Sequence, residues 1–385
     1  MNAEWKIMKL GDVCDFEGGS QPPKSQFVYK EKIGYVRFLQ IRDFGSDKNI
    51  TFIPESKKNR LCRKSDILIG RYGASVGKIL TGKTGAYNVA LMRTIPNLEV
   101  LDRSWFYNYL ISNEFQSRLL NISARSAQDG FSKDDIYGFP VPIPSRVEQQ
   151  RIVGILDKAF AALSTAKANA EKNLQNARAL FESYLQAVFT QRGPGWVEKT
   201  LGEVCKFIGG SQPPKSVFSK TKTADKVRLI QIRDYKSDKN VVYIPRSQAR
   251  RFCQANDIMI GRYGPPIFQI LRGLEGAYNI ALMKAVPDES RVSPDYLFYF
   301  LKHSTIQEYI IYHSERAAGQ SGLNKDTLEP YPIALPTLAE QQKIVQTTME
   351  LEAETQRLAT LYERRLAALE ELKKSLLHQA FSGQL

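Results

Sequence analysis

The sequence predicts an α+β protein built twice: two tandem globular units, each followed by one long α-helix, with the two helices paired as an antiparallel coiled coil. Three observations carry this reading. They are an internal repeat at an offset of 191 residues, short β-branched and aromatic runs within each copy, and a 4,3 apolar rhythm after each copy. The boundaries fall at 1–145 for the first unit, 146–190 for its helix, 191–336 for the second unit and 337–385 for the last helix.

The repeat is explicit. WKIMKLGDVCDFEGGSQPPKSQF (Trp5 to Phe27) aligns with WVEKTLGEVCKFIGGSQPPKSVF (Trp196 to Phe218), and VRFLQIRDFGSDKNITFIP with VRLIQIRDYKSDKNVVYIP. DILIGRYG pairs with DIMIGRYG and GAYNVALM with GAYNIALM. After a one-residue insertion, PVPIP matches PIALP and EQQRIV (Glu148 to Val153) matches EQQKIV (Glu340 to Val345). Within the units, YVRFLQI, ITFIP and DILIG read as strands between Gly, Pro, Asn and Asp. Helical patterns are expected between them, for example around Ser104 to Leu120 and its counterpart Pro294 to Tyr312.

After each Pro-rich stop the pattern changes. Ile152, Leu156, Ala159, Leu163, Ala166, Ala170, Leu174, Ala177, Phe181, Tyr184 and Val188 form one seam. Ile344, Thr348, Leu351, Thr355, Leu358, Tyr362, Arg365, Leu369, Leu372 and Leu376 form the other. Helices of roughly 40 residues, about 60 Å long, are expected. A narrow apolar seam needs a partner, and the other copy in the same chain costs no translational entropy. Helices related by a pseudo-twofold pack antiparallel, which makes a rod with a head at each end and brings FSGQL near Trp5 in a nearly circular chain. A homodimeric coiled coil is the alternative.

Charge separates the two kinds of segment. The chain carries a formal +14 at a pI near 9.4. Residues 1–145 hold 21 Lys and Arg against 15 Asp and Glu, and residues 191–336 hold 21 against 14, so the heads carry +6 and +7 while the helices carry +2 and −1. Two basic modules on a near-neutral spacer fit a polyanionic partner such as duplex DNA, each head holding phosphates and reading bases. A merely solvated basic surface is the alternative. Four cysteines without CxxC spacing and three histidines argue against a disulfide framework, structural zinc and His-based catalysis. The start MNAEWKIMKLGD lacks a signal-peptide layout and no window reaches the length of a membrane helix, so a cytoplasmic protein is expected.

Candidate contacts come from motifs present in both copies. GGSQPPKS offers Ser20, Gln21 and Lys24, and again Ser211, Gln212 and Lys215, although it also reads as a tight turn. In IQIRD, a period-two strand would put Gln40 with Arg42, and Gln231 with Arg233, on one face; Arg42 and Asp43 could equally make a structural ion pair. GRYG places Arg71 and Tyr72, and Arg262 and Tyr263, between glycines at a loop tip, and the two arginines are the foremost base-contact candidates, with a phosphate contact or a strand-end turn as the alternative. GAYN supplies Asn88 and Asn279, which could instead form turns. A further loop carries Gln128, Gly130 and Lys133, matched by Gln320, Gly322 and Lys325, and could instead be a helix cap. Catalytic signatures fail: GRYGASVGK imitates a phosphate loop, but Tyr72 replaces a glycine, Ile79 the Ser/Thr, and the second copy has Phe268 and Gln269 where Gly77 and Lys78 stand. A binding protein without catalysis or a metal is expected.

The duplicated GGSQPPKS and GRYG domains, with a PxPxP stop and EQQ(R/K)IV leading into a long helix, resemble the specificity subunit of a type I restriction-modification system over the whole chain. The resemblance implies two tandem target recognition domains joined by conserved helices, each domain reading one half of a bipartite DNA site. It further implies two modification (methyltransferase) subunits docking on the helices and EQQ junctions, and restriction subunits beyond them. S-adenosylmethionine, ATP and Mg are expected on those partners and no cofactor on this chain. Related halves imply a nearly palindromic interrupted target, which PPIFQ (265–269) against ASVGK (74–78) puts in doubt. A stand-alone DNA-binding regulator is the competing reading.

Overall fold

The computed structural model describes residues 5–124, 130–191, 193–264, 266–315 and 322–385. It divides into two compact units, Met1–Ala170 with Arg364–Leu385, and Glu171–Glu363, so both long helices contribute to both units.

In the first unit, β1 (Lys6–Lys9) pairs antiparallel with β10 (Pro140–Ile143), Lys6 opposite Ile143, so the chain's start lies beside the approach to the first long helix. Strands β2 (Cys14–Gly18), β9 (Leu91–Pro96), β6 (Leu68–Gly70) and β7 (Ile79–Leu80) form an antiparallel sheet in that order. A second sheet orders β4 (Phe52–Pro54), β3 (Tyr35–Leu39), β8 (Gly85–Tyr87) and β5 (Leu61–Cys62), with β3 and β8 parallel. Leu39, Cys62, Leu68, Tyr87 and Leu91, drawn from both sheets, form one buried cluster. The second unit repeats both strand orders, with the parallel pair formed by Lys226–Ile230 and Gly276–Tyr278. Residues 35–39, 52–54 and 68–70 are strands within the runs expected from sequence.

The helical pattern around Ser104 to Leu120 comprises two helices, Arg103–Ile111 and Asn113–Ser123, and its counterpart Pro294–Lys302 and Ser304–Glu315. Ser112 and His303 break them with ψ of 159° and 150°. Both are buried and turn their side chains back on a carbonyl of the preceding turn, Ser112 on Tyr109 and His303 on Phe300, which satisfies the end of the first helix. One local expectation, that for IQIRD, is corrected. The strand ends at Leu39 and Ile230, and Ile41–Phe44 and Ile232–Tyr235 are 3-10 turns. The cause is Asp43, whose carboxylate accepts the Gln40 N–H at 2.6 Å, as Asp234 does from Gln231 at 3.1 Å. Gln and Arg therefore do not share a strand face.

The long helices are Arg146–Thr190 and Leu338–Ser382, 45 residues each. Every expected seam position of the first is buried or half-buried. In the second, Arg365 and Leu372 are exposed and Leu366 and Leu377 take the inner face. A 3.6-residue helix drifts against a 3.5-residue repeat, and the drift leaves the Arg365 charge in water. Within the first unit the helical segments run antiparallel: Ile152 and Leu156 share a core with Leu377 and Phe381, while Lys167 meets Glu370 at 2.6 Å. Within the second, Arg178 meets Glu363 at 2.8 Å, and Leu185 and Phe189 share a core with Val345. The chain's end lies near its start as expected: Trp5, Trp105 and Phe381 stack in series at 5.7 and 4.5 Å, and Arg151 donates to the Leu385 carbonyl at 2.7 Å.

Candidate nucleic-acid interface

Five segments of each unit meet at the ends of its two sheets, and backbone bonds hold them. In the first unit Gly19 N–H donates to the Leu91 carbonyl and Ser20 N–H to the Tyr87 carbonyl, both at 3.0 Å. Asn88 N–H donates to the Leu39 carbonyl at 3.1 Å, and Arg71 N–H to the Ala90 carbonyl at 2.9 Å. Tyr72 forms an isolated bridge with Gly130. The second unit repeats the set: Gly210 to Leu282, Ser211 to Tyr278, Asn279 to Ile230, Arg262 to Ala281 and Leu323 to Arg262, from 2.9 to 3.2 Å.

Glycine makes the closest of these approaches possible. A Cβ on Gly19 would lie 2.0 Å from the Asn88 carbonyl oxygen, and one on Gly210 2.0 Å from that of Asn279. Any side chain there forces the GGSQPPKS and GAYN segments apart. Gly130 and Gly322 leave room for an aromatic ring, since a Cβ would come within 2.6 Å of Tyr72 and 2.3 Å of Tyr263.

The residues selected from sequence separate into four groups. Ser20, Gln40, Arg71, Tyr72 and Asn88 come together at the crossing, as do Ser211, Gln231, Arg262, Tyr263 and Asn279; the two tyrosines are exposed and the rest half-buried. The Ser20 Oγ, Asn88 Oδ1 and Gln231 Nε2 atoms are buried without a protein partner. Gln21, Lys24, Gln212 and Lys215 stand exposed further along the GGSQPPKS loop, with the lysines opening short 3-10 turns. Lys133 and Lys325 are not drawn into the crossing. Lys133 lies 5.6 Å over the Tyr137 ring, and Lys325 faces Glu329 at 3.7 Å. Gln128 and Gln320 lie outside the described residues.

Arg42 and Arg233 are exposed on their 3-10 turns, and Arg233 borders a different feature. In the second unit Arg233 lines a cavity of about 450 Å³ with Lys220, Arg228, Lys239, Asn240 and Tyr243. Its one carboxylate, Asp238, is paired with Arg228 at 2.8 Å. Burial pushes the neighbouring Asp234 carboxyl above the usual range, against the pull of its cap to Gln231 and of Arg228 and Arg233. In the first unit the equivalent Asp47 is held by Lys83 at 2.8 Å and by Arg37, which keeps its carboxyl below the usual range. Leu274 stands where Lys83 does. The sequence reading missed Lys220, Arg228 and Lys239. For Lys239 the signal was SDKN, identical in both copies and left without a role, and for Arg228 the repeated VR that opens the strand; Lys220 has no such signal, since Tyr29 stands in its place in the first copy.

The EQQ junction also has a definite geometry. Gln149 is fully buried: its Oε1 accepts from Asp102 N–H at 2.7 Å, and its Nε2 donates to the Val100 and Pro144 carbonyls at 2.9 and 3.0 Å. Gln341 makes the same three bonds with Ser293, Arg291 and Pro336, from 2.8 to 3.0 Å. The second residue of EQQ thus fastens each long helix to its own head.

No helix among the described residues is long and apolar enough to cross a membrane. Burial raises all four thiols, Cys62 and Cys253 to about 11.

A duplicated basic α+β head, with loops gathered at the sheet ends and each copy fastened to a long helix, defines a two-headed DNA-recognition scaffold. The type I restriction modification DNA specificity domain matches residues 2–173 and again 194–363, and the chain belongs to that family. It is 20% identical to the type I restriction enzyme StySPI specificity subunit of Salmonella potsdam and 22% identical to the EcoKI specificity subunit of Escherichia coli, in each case over 99% of this chain and 89% of the relative. A chain from a solved structure of a type I R-M system covers all of it with a TM-score of 0.81 at 20% identity, over 99% of its own length. The HsdS subunit from Thermoanaerobacter tengcongensis, 19% identical, also covers all of it, over 98% of its own length, with a TM-score of 0.60. The chain is accordingly a specificity subunit of a type I restriction-modification system.

Proposed function

We propose that each head reads one half of a bipartite DNA target through its loop crossing, and that the chain itself carries out no chemistry. The carrying observation is the same crossing built twice, with Tyr72 and Tyr263 exposed on it, Gln21, Lys24, Gln212 and Lys215 exposed further along its loops, and Arg42 and Arg233 exposed on the neighbouring 3-10 turns. Lysine and arginine there hold phosphates, while glutamine and the half-buried Gln40, Asn88, Gln231 and Asn279 offer the amide geometry that pairs with adenine. Lys133 and Lys325, one turn beyond, add phosphate contacts at the flank.

Two modification subunits would dock along the long helices, bringing S-adenosylmethionine; restriction subunits, with ATP and Mg, would join through them in a cytoplasmic complex. Gln150 and Gln342, exposed beside the buried Gln149 and Gln341, are the part of each EQQ junction free for that docking. The test is methylation by the assembled complex on a library of duplexes. The reading requires modification confined to sites sharing two sequence blocks; substitution of Gln21 must alter one block and of Gln212 the other, while substitutions of Lys24 and Lys215 weaken all sites alike.

A further inference from the structure

Arg71 and Arg262, the residues whose sequence setting most favoured base contact, spend their guanidinium groups inside the protein. Arg71 donates through Nε and Nη2 to the Phe131 carbonyl, both at 3.3 Å. Arg262 donates through Nε to the Leu323 carbonyl at 2.9 Å and through Nη1 to the Ile280 carbonyl at 3.2 Å. Each arginine also lies over the ring of the tyrosine that follows it, at 5.1 and 5.4 Å. A Cβ on Gly18 would stand 3.3 Å from Arg71 Nη1, so the absence of a side chain there leaves room for the guanidinium beside the GGSQPPKS strand end.

Three consequences follow from that placement. The segments at the crossing are irregular and share few ladder bonds, so their ordering entropy falls on isolated contacts. A planar guanidinium offers several donors in fixed directions and cannot lose its charge, which suits it to hold carbonyls on separate loops. The two copies differ at about half their positions yet share one bond, from the arginine Nε to the carbonyl of the residue that follows Gly130 or Gly322.

We propose that Arg71 and Arg262 are positioning residues: each ties the GRYG loop to the Phe131 or Leu323 segment, and so fixes the surface that Tyr72 or Tyr263 and the neighbouring loops present to DNA. This rests on the DNA-recognition reading given above. It differs from a direct contact in a measurable way. A residue that neutralises a phosphate releases a counterion, so its loss makes the dependence of log K on log salt shallower by about 0.9. A base contact, when lost, relaxes preference at one base pair.

The test compares wild type, Arg71→Gln and Arg71→Lys in the assembled specificity–modification complex, on a duplex library and over a range of salt. Positioning predicts at least a tenfold loss of selectivity spread over every base pair of one half-site, with the other half-site and the salt slope unchanged. Lysine must fail to restore it, because an ammonium cannot hold the same fork. A loss confined to one base pair, a salt slope shallower by about 0.9, rescue by lysine, or unaltered selectivity would each overturn the proposal. Hydrogen exchange supplies an arm independent of DNA. In the free full-length chain, Arg262→Gln must speed exchange of the Leu323 amide, which donates to the Arg262 carbonyl, while amides of the first unit keep their wild-type rates. Unchanged protection at Leu323 overturns the clamp. A wild-type complex without sequence preference would instead refute the DNA reading and leave the exchange result standing.

Discussion

Gln149 accepts the backbone N–H of Asp102 at 2.7 Å, and by that bond the first turn of the long helix caps the approach to another helix in the same head. Gln341 does the same for Ser293 at 2.8 Å. Gln149→Leu keeps the volume but leaves one N–H and two carbonyls without partners. Each such orphan costs about 1 to 3 kcal/mol, so a loss on the order of 3 kcal/mol is expected, read as a lower denaturation midpoint. Hydrogen exchange should show the loss in the first unit for Gln149→Leu and in the second for Gln341→Leu.

Gly19→Ala places a methyl 2.0 Å from the Asn88 carbonyl oxygen, and Gly210→Ala places one equally close to Asn279. Backbone cannot yield as a side-chain tip does, so the two loops must separate. The expected outcome is loss of preference at one half-site by tenfold or more, in the half that belongs to the substituted head. Binding of the complex to a library varied in one half at a time checks it.

Arg233→Ala and Lys239→Ala remove two of the cations around the second head's cavity. If the cavity holds a phosphate of the duplex, each substitution weakens cognate and random DNA alike and makes the salt slope shallower by about 0.9. Lys83→Leu in the first head copies the second head's arrangement by freeing Asp47 of one partner. It should leave sequence preference intact while weakening binding.

His303 gives the second head a titrating group for which the first head has no equivalent residue. Burial among Phe189, Phe300 and Tyr331 pushes its imidazole below the ordinary value, only partly offset by the Phe300 carbonyl. The folded pKa lies below the unfolded one, so the unfolded state binds the proton more readily. The stability this residue contributes is complete above about pH 6.5 and falls away as pH drops from there towards the folded pKa. Ser112 occupies the equivalent place in the first head. His303→Ser should therefore flatten the acid limb of the second unit's stability, measured by hydrogen exchange between pH 7 and 5.

The duplication made much of this legible. One repeat gave the two heads, the helices and the antiparallel pairing seen between Ile152 and Phe381. Side-chain periodicity is a property of regular elements, and reading failed where none existed. IQIRD alternates like a strand, but Asp43 captures the Gln40 N–H and winds the chain into a turn. Ser112 looks compatible with a helix yet ends one through a bond to Tyr109.

The site was legible as motifs and illegible as roles. GGSQPPKS, GRYG and GAYN do converge, because Gly19 and Gly210 allow backbone contact. Arg71 looked exposed in sequence because its partner, Phe131, lies 60 residues away. The 265–269 departure also has structural content: Phe268 is buried with φ of 63° where Gly77 has φ of 79°, so one backbone turn carries a core side chain in one head and none in the other. The cations of the second head's cavity were hidden for a similar reason, since Lys220 and Lys239 lie on separate loops.

Selection of bound duplexes from a fully random library by the assembled specificity–modification complex tests the central claim most directly. The account requires two short fixed blocks separated by a constant run without preference, with Gly19→Ala erasing one block and Gly210→Ala the other. A single contiguous block, or both blocks lost together with either substitution, would contradict it.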